Sequence, residues 1–141
     1  MNTDYLLQLA YQRLQADHND GAIDALRQLL ASDPHSAEAH ALLAICLMNM
    51  RRVHAAKREV QLALVCDAQL PLAHYAAAQV AIAQRKFKLA QEHVNQLLDM
   101  EPLNPVNYRC LADLYQLTGR LAQSREPLEK GAGETGGPVS Y

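Results

Sequence analysis

The sequence predicts an all-α fold, a solenoid in which antiparallel helix pairs stack on one another, and two observations support it. Small residues recur at a step of 34 positions along the 141-residue chain, at Ala10, Ala44, Ala78 and Ala112 and again at Ala22, Ala56, Ala90 and Ser124. Larger apolar residues recur at the same step, at Leu26, Val60, Val94 and Leu128. Such a repeat marks units that cannot bury their apolar faces alone and must stack on neighbours.

Apolar residues at helical spacing place the elements in order, and proline and glycine residues separate them. Asp20-Gly21 opens the second helix and Asp33-Pro34 ends it. Pro102 and Pro105 close the third helix pair, because proline cannot continue a helix. The predicted helices cover about residues 6–14, 21–30, 39–47, 53–64, 70–83 and 87–100, and a fourth pair begins at residue 106.

This pattern resembles the tetratricopeptide repeat, whose signature is W-x2-L-G-x2-Y, then A-x3-F, then A and P. The second repeat matches at Leu43, Ala44, Leu47, Ala56, Val60 and Ala63, and the fourth at Tyr108, Leu111, Ala112, Tyr115, Gly119 and Ser124. The place of the tryptophan holds Leu6, His40, His74 and Tyr108. The resemblance implies a right-handed α-solenoid of about 3.5–4 repeats over residues 3–130, divided at 3–36, 37–70, 71–104 and 105–130, with a flexible glycine-rich tail at 131–141.

The fourth repeat departs from the pattern, because Pro127 falls inside its second helix and glycines follow from Gly131. Leu121 and Leu128 then have no further helix to cover them. Three explanations are open: the chain is a fragment, it forms a homodimer through its last repeat, or it tolerates a frayed terminus.

Composition argues against several classes of protein. A formal charge of −2 and a pI near 6.3 give no general electrostatic reason to bind nucleic acid or an anionic membrane. Cys46, Cys66 and Cys110 form no CxxC pair, and their odd number favours reduced thiols in a cytosol-like compartment. The chain lacks a basic leader followed by an apolar run, so we predict a cytoplasmic protein.

No motif for catalysis, cofactor binding or metal binding stands out. His40 and His74 share one register in successive repeats, but neither has a ligand-spaced partner nearby, so packing is the favoured interpretation. The sequence from Gly131 to Gly136 fits G-x-G-x-x-G, yet it lacks the strand and helix that a dinucleotide site requires. We therefore expect no enzyme activity, no cofactor and no metal.

The face that the first helix of each repeat turns away from its partner helix is the main candidate site. In solenoids of this kind it lines a concave groove, and here it is apolar in the middle. Its residues are expected either to receive another peptide or helix, or to be buried by a tight superhelix. The predicted groove residues are Leu7, Gln8, Tyr11, Leu42, Ile45, Asn49, Tyr75, Gln79, Arg109 and Asp113.

One subtype of the family binds C-terminal carboxylates of chaperone tails through Lys and Asn on these first helices. The corresponding places here hold Leu7, Tyr11, Leu42, Leu72 and Ala76, so a carboxylate end is not the expected ligand. A second candidate surface is a basic edge at the turns inside the repeats, formed by Arg51, Arg52, Arg85, Lys86 and Arg120. It would suit an acidic partner, although cations at helix C-termini also serve the helix dipole.

Three functions follow from this pattern. The first is a non-catalytic module that binds an extended peptide or a helix of another protein, as an adaptor, assembly factor or chaperone. The second is a self-assembling structural solenoid. The third is the N-terminal recruiting domain of a larger enzyme or secretion factor.

Overall fold

A computed structural model describes residues 3–123, with side-chain environments for residues 3–119. That range contains helices and turns and no strand. The helices are α1 (Thr3–Gln15), α2 (Asn19–Ser32), α3 (Ala37–Asn49), α4 (Val53–Cys66), α5 (Pro71–Ala83), α6 (Phe87–Met100) and α7 (Pro105–Gln123). The predicted fold class, all-α with helix pairs at a step of 34 residues, is confirmed.

The helices group into two compact units, residues 1–76 and residues 77–141, and the division falls within α5. In the first unit α1 packs on α2, α2 on α3, and α3 on α4. In the second unit α6 packs on α7. None of the described helices is both long enough and apolar enough to cross a membrane.

The turns inside the first three repeats have the same geometry. One residue in each adopts a positive φ, 59° at Asp17, 62° at Arg51 and 61° at Arg85. The amide of the following residue bonds the carbonyl five positions back; for example, Arg52 N donates to Leu47 O at 2.8 Å. This is the Schellman ending of a helix, which reverses the chain and lets the second helix pack on the first.

Small residues sit where paired helices approach most closely. Ala10, Ala44 and Ala78 in the first helices are buried, as is Ala22. A short side chain at these places allows the close helix contact that ridges-into-grooves packing requires. The recurrence of small residues in the sequence therefore reports helix contact distances.

The last described helix differs from the prediction. We expected the fourth repeat to turn near Arg120, but α7 runs without interruption to Gln123, so Gly119 and Arg120 lie inside a helix. That expectation was wrong because a glycine inside a helix costs only about 1 kcal/mol, which a continuous run of intrahelical hydrogen bonds offsets. The predicted second helix of this repeat up to residue 130 and the tail at 131–141 lie outside the described residues.

One stripe of α7 is buried, at Asn107, Cys110, Leu114 and Thr118. Asn107 Nδ2 donates to Leu97 O at 3.2 Å and to Glu101 O at 3.1 Å, which joins the start of α7 to the end of α6. The residues at the expected signature places lie elsewhere on the helix, and Tyr108 is 51% exposed while Ala112 is exposed as well.

Candidate partner-binding surface

The inner face of α1 and α3 is organised around a contact between Tyr11 and Glu38. The Tyr11 hydroxyl donates a hydrogen bond to Glu38 Oε2 at 2.6 Å, and both side chains are partly buried. Burial, followed by the hydrogen bond and the negative charge of Glu38, raises the pKa of Tyr11 well above its ordinary value. The phenol therefore stays neutral and fixes the carboxylate in place at the start of α3.

Leu42 is a core residue and does not belong to an accessible groove. It is 1% exposed, whereas Leu7, Ile45 and Tyr75 are partly exposed. The expectation that Leu42 offers its surface to a ligand was therefore wrong. Its place is covered because α3 is packed by α2 and α4 in the same unit.

Two polar groove residues of the first unit are exposed, Gln8 and Asn49. Asn49 Nδ2 donates to Asn19 Oδ1 at 3.1 Å, so it links the end of α3 to the start of α2. Asn49 therefore already has an intramolecular partner, while Gln8 lies one turn from Tyr11 on α1.

In the second unit, the predicted groove residues are polar. Gln79 is partly buried, and its Nε2 lies 3.9 Å from the Cys110 sulfur, which accepts a weak hydrogen bond. Burial and the nearby Asp113 carboxylate raise the pKa of the Cys110 thiol. Arg109 and Asp113 are exposed, four positions apart on α7.

The residues of the predicted basic edge are placed differently from one another. Arg51 and Arg85 occupy the positive-φ positions of their turns, and Arg52 and Lys86 are the N-caps of α4 and α6. Arg120 lies within α7 and not in a turn. The first four thus share one position in the repeat, and Arg120 does not share it.

His40 and His74 serve the packing of the repeats, as the sequence suggested. Both are buried, and their Nε2 atoms lie 2.9 Å from Pro34 O and 2.8 Å from Ala68 O, respectively. The two carbonyls belong to the loop before each histidine's helix, at equivalent positions in the repeat. Among the described residues, no group of three or more His, Cys, Asp or Glu side chains could hold a metal ion.

Sequence reasoning missed the two carboxylates that partner these inner-face residues. Glu38 binds Tyr11, and Glu59 Oε1 lies 2.7 Å from His40 Nδ1. The only sequence signal for Glu38 was its place two residues after Ser36, whose Oγ caps α3 by accepting from Ala39 N at 3.2 Å. That signal indicates a helix start and gives no hint of the contact between helices.

Comparison with known proteins agrees with the repeat pattern. Two family models described as "Tetratricopeptide repeat" match the chain, one at residues 13–80 and the other at residues 75–137. No curated protein sequence matches the chain.

Solved structures show a similar fold at low identity. The first TPR domain of human RPAP3 superposes with a TM-score of 0.74 at 18% identity, covering 87% of this chain and 94% of that domain. The first TPR of Spaghetti (RPAP3) bound to the HSP90 peptide SRMEEVD also gives 0.74 at 18%, covering 85% and 95%. The Pseudomonas aeruginosa protein pilF gives 0.73 at 23%, covering 88% of this chain and 55% of that chain.

Proposed function

Because the chain belongs to the tetratricopeptide-repeat family, we propose that it is a non-catalytic module that binds a segment of another protein. Family membership also confirms the predicted fold class, an α-solenoid of 34-residue helix pairs. An adaptor, assembly or chaperone role is the expected setting for such a module. The partner segment is an extended peptide or a helix.

The observation that carries the proposal is the character of the inner face in the first unit. Leu7, Ile45 and Tyr75 leave part of their apolar surface accessible, beside the Tyr11–Glu38 hydrogen bond. Apolar anchors next to one fixed polar group are the usual composition of a peptide-binding surface. Gln8 adds hydrogen-bonding capacity at the edge.

The chemistry of this face argues against an acidic C-terminal ligand. The RPAP3 structure named above holds a peptide that ends in EEVD. In this chain, Glu38 places a carboxylate on the corresponding helix face, and Leu7, Leu72 and Ala76 stand where a carboxylate-binding subtype has polar or cationic groups. A second carboxylate there would be repelled, so the ligand we propose is apolar with a neutral or cationic polar group.

The test is capture of a partner from a cell lysate, read by mass spectrometry, with the wild-type chain and an Ile45→Arg, Tyr75→Arg variant. The matched control is Gln28→Arg, Gln69→Arg, which adds the same charge at two exposed positions on other faces. A protein retained by the wild type and the control but lost by the groove variant, at equal helicity, supports the proposal. Equal capture by all three contradicts it.

A second candidate function is self-association through the fourth repeat, giving a homodimer. The favouring observation is the exposed surface of α7, where Tyr108 is 51% and Val106 41% exposed. Sedimentation velocity over a hundredfold concentration range tests it, since a dimer that Tyr108→Glu dissociates supports this function and a constant monomer mass removes it.

The other predictions about context stay predictions. They are the absence of enzyme activity, of a cofactor, and of nucleic-acid or membrane partners, the cytoplasmic location, and a place as the recruiting domain of a larger enzyme or secretion factor. Reading the gene beyond the codon for Tyr141 would decide the last of these.

A further inference from the structure

The outward side of α4 carries an exposed apolar surface beside a cation. Arg58, Gln61, Leu62 and Val65 line a shallow surface pocket of about 280 Å³, and we call these four residues the α4 outer face. Val65 is 85% exposed and Leu62 is 45% exposed. The opposite side of the helix is the part that packs, since Ala56, Val60 and Ala63 are buried.

The equivalent helices show that the repeat fold does not require this surface. At a step of 34 residues, Arg58, Leu62 and Val65 correspond to Asp24, Gln28 and Ala31 in α2 and to Glu92, Gln96 and Asp99 in α6. All six of those residues are exposed. The α4 outer face is therefore apolar where the equivalent helices are polar or small, and it has a cation where they have an anion.

The local charge around the α4 outer face is positive. Arg51 and Arg52 are exposed in the turn before α4, and Lys57 is partly buried in its first half. The only acidic residue between residues 51 and 66 is Glu59, whose carboxylate is paired with His40. Among the residues that the structure describes, no carboxylate lies within salt-bridge distance of Arg58.

We propose that the α4 outer face is a second docking surface, which binds an amphipathic acidic segment of a partner protein. A carboxylate of the segment pairs with the Arg58 guanidinium, whose planar fork suits that geometry. An apolar side chain of the segment packs on Leu62 and Val65. From Arg58 to Val65 the helix rises about 10 Å, so the segment presents its acidic and apolar groups about that far apart.

This surface differs in both place and ligand chemistry from the inner face. It lies on a second helix of a repeat, and it favours an anionic partner, whereas Glu38 on the inner face disfavours one. The chain would then hold two segments of unlike charge. Because the two surfaces share no residue, each can be disabled without the other.

The variant that tests the proposal is Arg58→Glu, Leu62→Gln, Val65→Asp. It gives α4 the side chains that α6 carries in the same register, so the fold is expected to tolerate it. The control, Arg27→Glu with Ala31→Asp on α2, makes the same change in net charge at two exposed positions. Far-UV circular dichroism and thermal melting establish that all three chains fold.

The probe is a random 12-residue peptide library displayed on phage, selected on the immobilised wild-type chain with the α4 variant in solution as competitor. Selected peptides are synthesised with a fluorophore and measured by anisotropy. We expect peptides that combine Asp or Glu with Leu, Ile or Phe, that bind the α2 control as tightly as the wild type, and that bind the α4 variant at least tenfold more weakly. Their affinity should fall as salt rises, because the Arg58 contact is screened.

Three results would overturn the proposal. One is that no selected peptide distinguishes the wild type from the α4 variant. Another is that the selected peptides are basic or uncharged. The third comes from sedimentation velocity: a dimer of the wild type and of the α2 control that the α4 variant dissociates would assign the face to contact between two copies of the chain.

Discussion

Glu59 of α4 lies 2.7 Å from His40 of α3, and this contact ties together the two helices of the second repeat. The other ring nitrogen of His40 is 2.9 Å from Pro34 O, so one side chain joins three segments. The family usually has a large aromatic ring at this place. Here a smaller ring fills the site and is positioned by polar contacts.

Replacing His40 by Phe should destabilise the protein by about 1–3 kcal/mol, because Glu59 and the Pro34 carbonyl lose their partner in a partly buried place. Adding Glu59→Leu should recover at least about 1 kcal/mol, since the carboxylate then no longer lacks a partner. Urea unfolding followed by circular dichroism measures both. His35→Phe, at an exposed site, is the control, and additive effects in the double variant would contradict the coupling.

Replacing Arg51 by Gly should raise the free energy of unfolding by about 0.5–1 kcal/mol. At φ 62° an L side chain crowds the backbone, and glycine does not. Arg52→Gly, at φ −94°, relieves no such crowding and should destabilise the protein through added chain entropy. The midpoint of urea unfolding distinguishes them, and a loss of stability in both variants would show that the Arg51 side chain has a structural role.

Gly119→Ala tests the continuity of α7. Within a helix, alanine is favoured over glycine by about 1 kcal/mol, so the substitution should raise both stability and helicity. Position 119 is also 34 residues after Arg85, where the other repeats turn with positive φ. A loss of stability in Gly119→Ala would indicate that the chain turns there in solution, because alanine is strained in that conformation.

The thiols should differ in reactivity. Burial raises the pKa of Cys46 to about 11, and Cys110 is raised in the same direction, whereas Cys66 is partly exposed. At pH 8 the native chain should therefore react with a disulfide reagent first at Cys66, and Cys66→Ser should remove the fast phase. A fast phase that persists in Cys66→Ser would contradict the burial of the other two.

The same shift predicts a pH dependence of stability. In the unfolded chain Cys46 loses its proton near its ordinary pKa of about 9. Between about pH 9 and about pH 11 the unfolded state therefore binds fewer protons than the folded state, and stability falls as pH rises. Cys46→Ala should flatten this part of the stability curve, measured by urea unfolding at several pH values.

The sequence was sufficient for the repeat architecture because the signal is redundant. Ala10, Ala44 and Ala78 report the same contact three times, and each repeat confirms the register of the next. The fourth repeat has no such support, and there the propensity of the local sequence to continue a helix prevails at Gly119. A single repeat is a weak predictor, while an array of repeats is a strong one.

The site was less predictable, since it depends on side chains from different helices. Ile45 and Leu42 are both apolar residues of α3, yet only packing shows that Leu42 is covered and Ile45 is not. The Tyr11–Glu38 hydrogen bond joins residues 27 positions apart, and no spacing rule connects them. The exposed Leu62 and Val65 could be told from core residues only after the inward side of α4 was known.

The contacts in the first unit also bear on how the protein is made. α1 packs on α2, α2 on α3 and α3 on α4, so the partners are neighbours along the chain. Closing short loops costs little entropy, and folds of this kind form quickly. As the polypeptide leaves the ribosome, α1 and α2 can pair before α3 is complete, and each new helix then finds its docking surface already formed.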